Sequence, residues 1–343
     1  MLLKIGPAMN ENAALDTLFL PFDEGSLEWA NDSLFLYADW HPSLKSPCDV
    51  LHIYKPAADR LEARGFNNLA HLERSAYKNV LIHAPKQVQE AQGLIALGVD
   101  RLQDGGTLVV AAENDANGKR LKNWLIEAGI TVINEESKNK ARVVWGVKPT
   151  GLAPLTQWLA GMSVRPVNGY YTRPGLFSWD SIDVASQLLV DHLPALSGNV
   201  ADFGCGWGFL SCEILKRTGN AISTLLMIDA DSRAIACAQA NTEDVTGSVR
   251  LIPVWYDLTK NLPENVPALD YIVMNPPFHT GKKTDLDLGL SMIGTAAHSL
   301  KIGGTLYMVA NAHLRYEEAL GKLFKDVETI IQKNGFKVIR CKK

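Results

Sequence analysis

The chain has 343 residues, 47% apolar and 21% charged, a composition that excludes disorder and, at this length, calls for two domains rather than one. Its net charge is −3, and acidic and basic residues balance from Arg165 onward, so there is no general field for a polyanion; any nucleic-acid contact would have to come from local clusters such as Lys282 and Lys283, or the tail Arg340, Lys342 and Lys343. Five cysteines without a C-x-x-C pair exclude a disulfide framework and a zinc site, and no apolar run approaches the ~20 residues of a membrane span or the pattern of a signal peptide, so the expectation is a cytoplasmic protein with no metal and no membrane contact.

In chain order, the first half carries apolar runs that recur in the second. Val80-Leu-Ile-His-Ala-Pro-Lys86 lines up with Ile272-Val-Met-Asn-Pro-Pro-Phe278, and Gly105-Gly-Thr-Leu lines up with Gly303-Gly-Thr-Leu. The two separations, 192 residues from Val80 to Ile272 and 198 from Gly105 to Gly303, nearly agree, which is the mark of a duplicated fold. At the first separation the run 34–39 falls opposite Met227-Ile228-Asp229, and the counterpart of the glycine loop described below falls near positions 12–16, where no glycine occurs. Residues 1–150 are therefore expected to form a degenerate copy without a cofactor site. The stretch 148–172, with Pro149, Pro154 and Pro166, reads as the connection to a second domain at 165–343.

The second half alternates strands and helices. A helix is expected at 181–193, a strand at 199–203, a helix at 209–218 and a buried strand at 225–228 that ends on Asp229. Asp231-Ser232 caps a helix running to Asn241. Strands at 249–254, 271–274 and 305–310 follow, with a helix at 285–300 before the last of them. Two final apolar runs, 327–332 and 336–340, flank Lys333-Asn334-Gly335, a tight-hairpin signal. The fold class is thus α/β: a mostly parallel, doubly wound sheet of seven strands closed by an antiparallel hairpin, not the six-stranded dinucleotide layout.

Asp202-Phe-Gly204-Cys-Gly206-Trp-Gly208 follows one strand and opens a helix, so its glycines can turn sharply and let a ligand approach the main chain. A dinucleotide fingerprint would need a third glycine where Phe209 stands. An acid two residues before the first glycine would repel a pyrophosphate but suits the cationic methionine part of S-adenosylmethionine. Asp229 can accept hydrogen bonds from both ribose hydroxyls, and Asp257, after the following strand, can accept from the adenine amino group or stand as a solvated loop aspartate.

Asn275-Pro276-Pro277-Phe278-His279 sits where a fourth parallel strand should end, at the carboxyl edge where open sheets bind ligands. Its prolines remove two donors and fix the backbone. The Asn275 side-chain oxygen and the Pro276 carbonyl can hold the two hydrogens of a conjugated exocyclic amine and aim its nitrogen, while Phe278 stacks on the ring.

Together these segments resemble the amino-methyltransferases with an N/D-P-P-Y/F/W motif, which modify adenine, guanine or protein glutamine. Pro174-Gly175-Leu-Phe177-Ser178, followed by Asp183 and Gln187-Leu-Leu189, narrows the resemblance to the guanine-N2 methyltransferases of ribosomal RNA, closer to the small-subunit than to the large-subunit branch. The resemblance implies a class I methyltransferase sheet preceded by a degenerate copy, S-adenosylmethionine as cofactor, and ribosomal RNA or the small ribosomal subunit as partner of a monomer. It implies Asp202, Gly204, Gly206, Gly208 and Asp229 as cofactor residues with Asp257 beside them, Phe177 approaching cofactor or base, and Asn275, Pro276 and Phe278 on the target base. The alternatives are adenine N6 or glutamine N5 as acceptor, or an RNA-binding assembly factor without activity.

Overall fold

The computed structural model describes residues 12–218, 221–277 and 283–343. The chain divides into two compact units, Met1–Ser163 and Val164–Lys343. The first contains α1 (Ala13–Asp23), β1 (Ser33–Leu36), β2 (Asp49–Leu51), α2 (Lys55–Glu62), β3 (Tyr77–His83), α3 (Val88–Arg101), β4 (Leu102–Glu113), α4 (Leu121–Glu127), β5 (Thr131–Lys138), β6 (Ala141–Val147) and α5 (Thr156–Gly161). The second opens with a two-stranded ribbon, β7 (Arg165–Val167) and β8 (Tyr170–Thr172), followed by α6 (Val184–His192), β9 (Gly198–Phe203), α7 (Phe209–Thr218), β10 (Ile222–Asp229) and α8 (Ser232–Thr242). It continues through β11 (Arg250–Trp255), β12 (Leu269–Met274), α9 (Lys283–Ser299), β13 (Leu300–Asn311), α10 (Glu317–Leu323), β14 (Asp326–Lys333) and β15 (Phe336–Lys342).

The second unit is a seven-stranded sheet in the order β11-β10-β9-β12-β13-β15-β14, parallel except for the terminal hairpin. Consecutive residues of its central strands enter opposite cores, as a strand's period of two requires. Leu225 and Met227 join one cluster with α6, α7 and α8, whereas Leu226 and Ile228 join the other with α9 and α10. Both faces are covered, and the central strands are mostly apolar, with Asp202 the buried exception on β9. Local chemistry sets the ends. The Asp231 carboxylate caps α8 by accepting from the Arg233 N–H, and Asn334 and Gly335, both at positive φ, make the hairpin turn. Helix α6 starts later than its apolar spacing indicates, because Asp183 is its cap and accepts from the Ser186 N–H. The stretch read as a plain connection holds α5 and the ribbon, whose turn is Asn168-Gly169, again at positive φ.

The first unit has the strand order β2-β1-β3-β4-β6-β5, the same order as the second without its edge strand β11. A single parallel bridge from Val50 to Asn68 stands where β11 would pair. The register corrects the expected alignment. Leu36 pairs with Ile82 on β3 as Phe203 pairs with Met274 on β12, so β1 corresponds to β9, not to β10. The glycine-loop counterpart begins at Tyr37, not near positions 12–16, where Asn12 caps α1. Phe35 takes the place of Asp202, Tyr37 that of Gly204, His52 that of Asp229 and His83 that of Asn275. Tyr37 keeps a left-handed φ of 55°, beside 72° at Gly204, and its ring lies 5.7 Å from that of His52.

Among the described residues no helix is long and apolar enough to cross a membrane, and no group of three or more His, Cys, Asp or Glu could hold a metal. All five cysteines are free, four of them buried. Of the basic clusters, Lys282 and the Lys283 side chain lie outside the described residues. In the tail, Arg340 pairs with Glu328 at 2.7 Å and the Lys343 Nζ donates to the Leu300 carbonyl at 2.8 Å.

Candidate active site

The register of three central strands builds the site. Phe203 pairs with Ile228 on one side and Met274 on the other, so the next residues, Asp229, Gly204 and Asn275, form a row across the carboxyl edge. At the usual strand spacing Asp229 and Asn275 are about 10 Å apart. A shallow cleft opens there, lined by Phe177, Ser178, Asp183, Ser186, Asn275 and the loop from Gly204 to Trp207, with Phe209 and Leu210 behind.

The loop is held from below by its own backbone. Gly204 and Cys205 both donate to the Ile228 carbonyl, at 2.8 and 3.0 Å, and Gly208 donates to the Cys205 carbonyl at 2.9 Å. Asn241 ties it sideways: its Nδ2 donates to the Trp207 and Tyr171 carbonyls at 2.7 and 2.8 Å, and its Oδ1 accepts from the Tyr171 N–H at 2.6 Å. The Trp207 indole donates to the Phe177 carbonyl at 3.2 Å. The glycines serve different ends. A Cβ on Gly206 would meet nothing within 4 Å, because that direction is the open cleft. A Cβ on Gly208 would lie 2.8 Å from the Ala238 Cα, so Gly208 lets the loop pack against α8 and does not line the cleft.

Asp202 is fully buried under the loop. Its Oδ2 accepts from the Ser211 hydroxyl at 2.7 Å, while Oδ1 has no partner among the described residues. Burial pushes its carboxyl up to about 7, against the hydrogen bonds from Ser211 and with help from the Asp229 charge. Asp229 accepts from the Gly206 and Asp231 N–H groups, both at 2.8 Å. Burial raises it to about 6, and those backbone donors pull it back. A carboxylate with two backbone donors keeps lone pairs for further hydroxyls. An orphaned buried carboxylate oxygen, a second carboxylate at the next strand end and an open space over Gly206 fit a ligand with a cationic head and a ribose.

Asp257 is bound locally. Its Oδ1 accepts from the Thr259 N–H and hydroxyl at 3.0 and 2.7 Å, and Asp257 does not line the cleft. Pro276 is buried beside Asn275; Phe278 lies outside the described residues. Phe177 lines the mouth and is half exposed. The Asn275 Nδ2 donates to the Asp183 Oδ2 at 2.9 Å and to the Ser186 hydroxyl at 2.8 Å. Sequence reasoning gave no role to Ser186 and Cys205; the cap spacing from Asp183 to Ser186 was the available signal for the first.

The family model of the methyltransferase small domain matches residues 169–340. Proteins named ribosomal RNA small subunit methyltransferase C are similar along most of the chain. That of Vibrio parahaemolyticus is 30% identical over 271 residues, 77% of this chain and 76% of its own length. The chain belongs to this methyltransferase family. The relative from Psychromonas ingrahamii is 28% identical over 322 residues, 91% of this chain and 86% of its own length. A solved 16S rRNA N2 methyltransferase from T. thermophilus, in complex with AdoMet and guanosine, shares the fold at 23% identity with a TM-score of 0.79, covering 96% of this chain and 91% of its own. As a member of the small-subunit methyltransferase C family the chain is a methyltransferase, and its cofactor is S-adenosylmethionine.

Proposed function

We propose that this methyltransferase modifies the exocyclic N2 amine of a guanine in small-subunit ribosomal RNA, with one cofactor site, in the second unit. Bound S-adenosylmethionine supplies an electrophilic methyl group on a sulfonium. The observation that carries the reading is the row of Asp229, Gly204 and Asn275 across one sheet edge, which puts an amide acceptor beside the cleft under the glycine loop. Asp202 provides a buried negative charge for the cationic head, and Asp229 accepts from ribose hydroxyls; Gly204 and Gly206 leave room for both. Gly208 supports the loop, Phe177 lines the mouth, and Asp257 would serve the adenine amino group only by giving up its hydrogen bonds to Thr259.

The Asn275 oxygen and the Pro276 carbonyl hold the two amine hydrogens, and Phe278 stacks on the guanine, which must be turned out of its helix to present the amine. The proton lost after attack needs no tuned base, and none of the eight histidines is assigned that role. The names of the relatives support small-subunit RNA as the substrate. Nucleoside mass spectrometry of ribosomal RNA from cells with and without the protein tests the reading: a drop in N2-methylguanosine of small-subunit RNA is expected, and unchanged N2-methylguanosine, with or without loss of N6-methyladenosine, would refute it.

A further inference from the structure

Asn275 has two amide hydrogens, and both are taken. Its Nδ2 reaches the Asp183 Oδ2 at 2.9 Å and the Ser186 Oγ at 2.8 Å, while no donor among the described residues reaches its Oδ1. A carboxylate accepts only, so the atom facing Asp183 must be the nitrogen. Flipping the amide would set two oxygens against each other at that distance. The carbonyl oxygen is therefore the free end of the side chain, at a cleft that Asn275, Asp183 and Ser186 all line.

We infer that Asp183 and Ser186 are positioning residues that lock the Asn275 amide with its oxygen available to the substrate amine. The inference rests on the proposed reading of Asn275 as the amine acceptor. Two effects follow from the same contacts. The lock removes the alternative rotamer, in which an NH2 group would face the amine and repel it. Donation to a charged carboxylate also polarises the amide, which strengthens its oxygen as an acceptor. The arrangement is local on α6 yet remote from Asn275 in sequence. Asp183 caps the helix by accepting from the Ser186 N–H at 2.7 Å, so one oxygen both starts the helix and orients an amide 92 residues away.

That double duty dictates the variants. In Asp183→Ser a short hydroxyl keeps a helix cap but cannot reach Asn275. In Asp183→Asn the cap and a neutral acceptor remain. Ser186→Ala removes the second acceptor alone. The assay uses the full chain and labelled S-adenosylmethionine, with small-subunit RNA offered both free and assembled, alongside calorimetry of the cofactor. Asp183→Ser is expected to lower kcat about 10- to 100-fold, the size expected when a hydrogen bond to a charged group is lost. Its KM for RNA and its cofactor affinity should stay within about twofold. Asp183→Asn should recover part of the loss and Ser186→Ala should lie between wild type and Asp183→Ser. In an Asn275→Ala background neither Asp183 change should matter further, since positioning acts only through the amide.

A kcat within about twofold of wild type in Asp183→Ser, with Asn275→Ala inactive, would overturn the positioning role and leave the proposed function standing. A loss confined to cofactor affinity or to KM would also overturn it. Wild-type turnover in Asn275→Ala would defeat the reading of Asn275 itself, and the inference with it.

Discussion

Replacing Asp202 by Asn should make the ligand-free protein more stable and the enzyme inactive, because this carboxylate is held against its own solvation. It is fully buried, with one oxygen unpartnered among the described residues, and its carboxyl is raised from an ordinary 3.8 to about 7. A raised acid pKa means that the folded state binds the proton more tightly than the unfolded chain does. Stability therefore falls as pH rises from about 4 to about 7 and the full cost is present above that. Three pKa units correspond to roughly 4 kcal/mol as an upper limit. Asparagine removes the charge and keeps an acceptor for Ser211, but it leaves a buried NH2 without a partner, worth about 1–3 kcal/mol. A net gain of about 2 kcal/mol at pH 8 is the balance of these terms, and at pH 5 the gain should vanish or reverse. Denaturant unfolding of both proteins at pH 5 and 8 measures the difference, and calorimetry follows the cofactor. A variant equally destabilised at both pH values would show that the buried charge costs nothing, and one that still binds S-adenosylmethionine normally would show that the charge does not serve the cofactor.

Cofactor affinity should fall on acidification, since Asp202 and Asp229 must be ionised to bind and take up protons below about 7 and about 6; calorimetry should find binding at pH 6 weaker than at pH 8 by on the order of tenfold. The two loop glycines should separate in their effects. Gly208→Ala, at φ +90 with its Cβ 2.8 Å from the Ala238 backbone, should cost on the order of 3 kcal/mol of stability in denaturant unfolding. Gly206→Ala, with open space around its Cβ, should cost only about 1–2 kcal/mol of stability but weaken cofactor binding; similar losses in both variants would refute the division.

Most of the second unit was legible because its signals are local. Strand β10 reads as four apolar residues before an acid, α8 as a capped helix, and the hairpin as Asn334-Gly335 between apolar runs. The glycine loop and the Asn-Pro-Pro segment were legible for the same reason, as each is contiguous. What escaped was whatever depends on register. Asp183 and Ser186 meet Asn275 only because the fold brings the N-terminus of α6 to the carboxyl edge of the sheet, and their cap spacing marks a helix start but not that partner. The role of Gly208 was hidden as well, since the need for glycine there is imposed by Ala238 on another helix.

The first unit shows the same limit, and its corrected alignment carries a prediction. Apolar runs alone let β1 be set against β10, one strand too far along the chain. Pairing of Leu36 with Ile82 places it against β9, and the difference matters chemically. The position of the buried carboxylate Asp202 is then held by Phe35, which is itself fully buried, so a cationic head would meet a ring in the core. The position of Gly204 is held by Tyr37, whose hydroxyl donates to Glu90 at 2.5 Å. His52 stands at the position of Asp229, and His83, whose pKa burial lowers, stands at that of Asn275. Neither carboxylate position carries an acid here while the sheet is intact, so on the proposed reading of Asp202 and Asp229 the first unit takes no cofactor. Titration of the full chain with S-adenosylmethionine should therefore give one site per chain, and Asp229→Ala, which touches only the second unit, should weaken that site by about 1.5–3 kcal/mol. Two sites in the wild type, or a micromolar site that persists after Asp202 and Asp229 are both replaced, would show that the first copy still binds the cofactor.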